Sequence, residues 1–354
     1  MTLRTPIVQS DYIPGCYESS IDLTIIAFHH KGLRSIRVFI TDGLKETEAA
    51  IWGSPRGSLS TPGGSNKYRV NIGLEGLPAG KHELVIEATS TIGTIRTHRA
   101  PLWVGASSPE WTTVVGQTIS PGWCGRWQKT RNLRLVGCTI LHPIQAGTLG
   151  NQLIVLENCT IRDCSAAWSV QWAGRYAKNC QAINTINAFG NAVVARQCQV
   201  FGLSSDAFQG TDLVLDCLVE NVDRGIAINL HPDIVQWHEK GTENRVVHGL
   251  VATKNIKAMG VGGGKDSSLT DILIQDVTIT NTGWNGAVVS FAGVCEHLNL
   301  INCTFVGSCL WRVDQGFTGA DILVRGCTFN RSNQPDVSLS RGQARPKDLG
   351  VTIE

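Results

Sequence analysis

An all-β chain, a small β-sandwich followed by a right-handed parallel β-helix of about nine or more rungs, is what three features of the sequence predict. The later two-thirds of the chain repeat a three-column apolar pattern at intervals near one solenoid coil. The first hundred or so residues alternate instead with the two-residue period of short strands. Thirty-eight glycines, only two methionines and many Asn, Thr, Val and Ile suit tight turns and strands, so helix should be scarce.

The 354 residues are enough for two domains with cores of their own, placed at 1–105 and 106–354. A net charge of +2 with 17% charged residues provides no basic field for nucleic acid. No stretch approaches eighteen apolar residues, so membrane insertion is not expected. The start, MTLRTPIVQSDYIPG, lacks the basic and apolar regions of a secretory signal. The expectation is synthesis in the cytosol, with an extracellular or virion destination.

In the first domain IDLTIIAFHH, SIRVFITDG, KYRVNIGLEGL, HELVIEATST and IRTHRAPLWV read as strands separated by Gly, Pro and Asp turns. About seven such strands make a sandwich. The phrase GLPAGKHELVIEATSTIGTIR resembles the penultimate hairpin of bacterial immunoglobulin-like or fibronectin-like modules found beside carbohydrate-active domains. His29 and His30 read as strand residues near a turn rather than metal ligands. The linker ASSPEWTTVVGQTISPGW, with Trp111 and Trp123, is expected to cap the first rung, because a solenoid needs its exposed end covered.

The repeat is centred on Cys138, Cys159, Cys180, Cys198, Cys217, Leu250, Val277, Cys303 and Cys327, in phrases such as LRLVGCTI, LIVLENCTI, LNLINCTF and ILVRGCTF. The residues three before and two after each centre are apolar in all nine copies. The residue just before each centre is Gly, Asn, Asp or Gln, types that accept a left-handed backbone or close a turn, so two strands should meet there at a sharp corner. Successive centres lie 21, 21, 18, 19, 33, 27, 26 and 24 residues apart, about one coil each. Most of the twelve cysteines fall on these centres and are read as buried thiols. Zinc is disfavoured because no Cys-x-x-Cys pair occurs.

On those phrases, residues 114–340 resemble the right-handed β-helix superfamily of pectate-lyase-like carbohydrate enzymes and phage tailspikes. The resemblance implies a polysaccharide or surface glycan as partner, and a homo-oligomer such as a trimer or a virion assembly. It leaves the chemistry open between a lyase or glycoside hydrolase and a non-catalytic structural or adhesive protein.

Candidate chemistry gathers in SSDAFQG and LHPDIVQW, which share Asp-x-x-Gln at Asp206 with Gln209 and Asp233 with Gln236. Eleven residues before a centre stand Asn187, Asp206 and Asp266, and Asp233 joins them if the six residues EKGTEN are looped out. Neighbouring strands lie about 4.8 Å apart, so Asp206 and Asp233 would hold two outward carboxylates close together. Such a pair raises one pKa or recruits a cation. An acid with a nucleophile, or a calcium site at Asp206, Asp233 and Asp266, would follow. His231 and Lys265 are candidate bases, and Asn187, Gln209, Gln236, Trp237 and His238 are candidate substrate contacts. The alternative is a hydrogen-bonded ladder that merely satisfies turns. Trp168, Trp172, Trp284 and Trp311 either stack on sugar rings or cover the core.

Overall fold

The computed structural model describes residues 4–43, 45–52, 66–120, 131–142, 153–163, 175–223, 232–238, 240–264, 266–281, 287–291, 293–311, 318–329 and 351–354. Every regular element among them is a strand. The chain forms two compact units, 1–112 and 113–354.

In the first unit Ser20–Phe28 lies between Ile7–Ser10 and Lys67–Gly73 in an antiparallel sheet. A five-stranded sheet runs in the order Cys16–Tyr17, Ile95–Val104, Gly80–Ser90, Leu33–Thr41, Glu46–Trp52. The alternation in IDLTIIAF turns Ile21, Leu23 and Ile25 inward, where they share one core with Ile36, Val38, Ile40, Leu84 and Ile86 of the other sheet. The pairing is sandwich-like, and each fully buried aliphatic side chain contributes about 1.5–3 kcal/mol to it. His29 is buried, with Nε2 3.2 Å from the Arg4 carbonyl and Nδ1 accepting from the Lys31 amide at 3.2 Å. Trp111 packs edge-on against Trp103 within this unit, ring centroids 5.2 Å apart, instead of serving only as a lid for a rung. Trp123 lies outside the described residues.

The second unit is a parallel β-solenoid with three sheets. One coil runs through Leu213–Leu215 in the first sheet, Leu218–Val222 in the second and Asp233–Trp237 in the third, then enters the next coil at Thr242–His248. Among the described residues the three sheets hold 12, 10 and 5 strands. All nine repeat centres occupy the corner between the first and second sheets, and one further coil, with Gly116 at its corner and Thr118–Ile119 after it, precedes them. The apolar columns are in register: Leu135 pairs with Leu156, then Ala177, Ala195 and Val214, and Ile140 with Ile161, then Ala182 and Val200.

The corner residue has a left-handed backbone in every coil. Gly137, Asn158, Asn179, Gln197, Asp216, Gly249, Asp276, Asn302 and Gly326 all have φ between +52° and +67°. That conformation costs an ordinary L-residue about 1–2 kcal/mol, which Gly avoids and Asn or Asp reduces. The corner therefore selects these residue types, and their recurrence follows from geometry.

The described cysteines at the centres are free and buried. Each thiol donates to the carbonyl two residues earlier, as in Cys159 to Glu157 at 3.4 Å, Cys217 to Leu215 at 3.4 Å and Cys303 to Ile301 at 3.2 Å. Burial pushes the thiols of Cys198 and Cys303 well up, and that of Cys295, another inward position, to about 12. Cys124 and Cys164 lie outside the described residues.

Part of the added length of later coils goes into longer first- and third-sheet strands, the latter growing from 2 residues at Phe208–Gln209 to 5 at Asp233–Trp237. Leu213–Leu215 has 3 residues, whereas Thr242–His248 has 7, and Ser268–Gln275 and Val294–Ile301 have 8 each. For its second half, this corrects the expectation that EKGTEN is looped out; Lys240 and Gly241 form a turn, and Glu239 lies outside the described residues. Thr242 and Glu243 are strand residues paired with Leu269 and Thr270.

Candidate functional site

The third-sheet strands begin where the polar column was expected, and three of its four members meet there. Asn187 Oδ1 accepts from the Asp206 amide at 3.1 Å, and Asp206 Oδ1 accepts from the Asp233 amide at 3.1 Å. Backbone bonds run alongside, from Ala188 N–H to Asp206 O at 3.0 Å and from Ala207 N–H to Asp233 O at 2.9 Å. The Asn187 and Asp206 side chains thus tie one coil to the next at the start of the third-sheet strands.

The carboxylates do not point outward. Asp206 is 6% exposed and Asp233 1%. Both stand among core residues: Asp206 is followed by Ala207 and Phe208, and Asp233 by Ile234 and Val235, with Phe208 and Val235 in register. The pair is an axial hydrogen-bonded step, which is the ladder arrangement weighed from the sequence. Asp266 is not in the column, because Asp233 is in register with Met259. Asp266 lies in the exposed turn after Met259–Gly263, where the Ser267 amide bonds the Gly264 carbonyl at 3.0 Å.

A calcium ion does not fit this donor set. The Asp206 oxygen nearest the next coil faces a backbone N–H, a donor that competes with a cation. Among the described residues no group of three or more His, Cys, Asp or Glu is arranged to hold a metal ion.

The candidate contacts separate along the strand. Gln209 and Gln236 are in register, on the face opposite Phe208 and Val235, with Gln209 half-buried and Gln236 5% exposed. Trp237 is 1% exposed and donates through Nε1 to the Thr211 carbonyl at 3.1 Å, so its ring is core and not a sugar platform. His238 is exposed just beyond it. Five residues separate it from Asp233, about 17 Å at ~3.3 Å per residue, so the two cannot act on one bond. His231, Lys265, Trp168, Trp172 and Trp284 lie outside the described residues, as does the side chain of Trp311.

A second left-handed column escaped the sequence reading. Asn244, Asp271 and His297, within successive first-sheet strands, and Asp321, just before the strand Ile322–Arg325, have φ of +56°, +57°, +52° and +52°. Each stands six residues before a repeat centre, Leu250, Val277, Cys303 and Cys327, and that constant offset was available as a signal. His297 Nδ1 lies 2.6 Å from Asp271 Oδ1, and both side chains are buried. Asn299 donates to the Ile272 and His297 carbonyls at 3.2 Å each. One coil earlier, Arg245 meets the Asp212 carboxylate, and burial lowers the Arg245 pKa. These acid–base contacts join neighbouring coils along the axis.

A third polar column faces outward on the second sheet. Thr118, Thr139, Thr160, Gln181 and Gln199 are in register in successive coils. After Leu218 and Val251 the column resumes with Thr278, Thr304 and Thr328. Gln181 Nε2 donates to Gln199 Oε1 at 3.0 Å on the exposed surface. No protein-family model, curated protein or solved structure matches the chain.

Proposed function

We propose that the solenoid recognises an extended polysaccharide along its outer face, as an adhesive or tailspike-like element of an extracellular or virion assembly. The supporting observation is the outward column of Thr and Gln on the second sheet. It repeats hydroxyl and amide groups at about 4.8 Å along a rigid rod, and a glycan chain offers a similar succession of hydroxyls. On this reading the second unit is of the pectate-lyase-like or tailspike-like kind and the first is an immunoglobulin-like or fibronectin-like module. Cleavage is left out. Asp206 and Asp233 are buried, and the Asp206 carboxylate is engaged with a backbone amide, an arrangement poorly suited to acid–base work on a large substrate. Binding of the whole protein to a panel of neutral and anionic polysaccharides, beside Thr139→Val/Thr160→Val, tests the reading. A ligand whose affinity falls about tenfold in the double variant supports it. Absence of binding across the panel would leave the structural rod, which the axial polar and thiol columns favour.

A further inference from the structure

One end of the first unit combines exposed aliphatic side chains with a local excess of positive charge. The hairpin of Gly80–Ser90 and Ile95–Val104 closes through Thr91–Thr94, where the Gly93 amide bonds the Ser90 carbonyl at 3.0 Å and the Ser90 amide bonds the Thr94 carbonyl at 2.9 Å. Thr91 Oγ1 donates to the Lys31 carbonyl at 2.7 Å, and Thr94 Oγ1 to the Arg4 carbonyl at 2.6 Å. Arg96 donates to Thr5 Oγ1. Three segments, 4–5, 29–34 and 91–96, are therefore fixed together at this end.

Ile92 and Ile95 are 46% and 51% exposed. Single exposed apolar residues are ordinary, but here two large aliphatics project from one hydrogen-bonded turn. The three segments contain Arg4, Lys31, Arg34 and Arg96 and no Asp or Glu. Those four charges exceed the chain's net charge of +2, so the rest of the chain is net −2 (+2 minus +4). Lys31 and Arg34 are exposed.

We infer that this end of the sandwich docks peripherally on an anionic lipid surface. Aliphatic side chains enter the boundary between headgroup and acyl chain while flanking cations meet the lipid charge, the pairing by which interfacial segments hold a membrane. An acidic glycan would use the cations as well, but it offers nothing to the isoleucines, since sugars pack best on aromatic rings. This inference is independent of glycan binding by the solenoid.

The test is sedimentation of the full chain with phosphatidylcholine vesicles, with or without one-third phosphatidylserine. Binding is expected only with phosphatidylserine and should weaken as salt is raised. Each surface cation is worth about fivefold, so Lys31→Ser/Arg34→Ser should weaken binding about twenty-five-fold. Ile92→Ser/Ile95→Ser should weaken it at least tenfold with the melting temperature unchanged. No sedimentation with either vesicle overturns the inference. So does binding that survives the isoleucine changes intact and is displaced by a soluble anionic polysaccharide, which would mark an acidic-glycan site instead.

Discussion

Two polar columns run along the solenoid with similar residue chemistry and opposite consequences. The Asn187 and Asp206 side chains each accept a backbone N–H from the next coil, and the Asp206 and Asp233 side chains are buried. Thr139, Thr160, Gln181 and Gln199 stand one residue before inward Ile140, Ile161, Ala182 and Val200, and are turned outward. Recurrence once per coil marks both columns equally. Burial separates the structural column from the surface one, since Asp206 and Asp233 too are followed directly by core residues, Ala207 and Ile234.

The largest loss is expected in the core between the columns. Val214→Asp buries an unpaired charge in a fully enclosed inward column, and should cost about 3–5 kcal/mol or more; urea unfolding monitored by circular dichroism should show loss of the neighbouring coils. Asp271→Ala, at φ +57° and facing His297, should cost about 1–3 kcal/mol by removing a buried hydrogen-bond partner, whereas Asp271→Asn keeps the left-handed preference and costs less.

High pH acts on buried phenols and thiols. Burial raises the phenols of Tyr68 and Tyr176 to about 12 from an ordinary 10, and the Cys295 thiol to about 12 from 9. The unfolded chain releases these protons first. Their stabilising contribution is complete below about pH 9 for the thiol and pH 10 for the phenols, and is lost as pH rises toward 12. Denaturant midpoints should therefore be insensitive to these groups at neutral pH and fall steeply above pH 10. Native thiol titration near pH 8 should find few reactive groups. Smallest of all, Thr139→Val/Thr160→Val should change stability by within about 0.5 kcal/mol per site, as exposed substitutions do.

The corner was legible in the sequence because three independent requirements coincide there: two inward apolar positions, a centre small enough for a stacked interior, and a left-handed residue between them. Cys, Val and Leu at the centres and Gly, Asn or Asp before them satisfy all three. The polar column was legible as a column but not as a buried one, because its burial depends on core neighbours in strands whose limits periodicity leaves loose. Trp237 was misread for the same reason. Sharing the parity of Val235, it enters the core, although it adjoins a turn rich in polar residues. The second left-handed column was hidden because extra length in a coil reads as a loop, and here part of it forms longer strands with a bend at Asn244, Asp271 and His297.

The account turns on what Asp206 does, and one measurement addresses it: urea unfolding of Asp206→Ala and Asp206→Asn beside the parent, with affinity for any polysaccharide that the parent binds determined on the same samples. Removal of the acceptor leaves the buried Asp233 amide without its axial partner, so Asp206→Ala should lose about 1–3 kcal/mol. Asp206→Asn, which places at this step the residue that position 187 already uses, should lose less than about 1 kcal/mol. Affinity should stay within a factor of two in both. Unchanged stability in Asp206→Ala, together with abolished binding or cleavage in Asp206→Asn, would contradict the account and return the acidic pair to function.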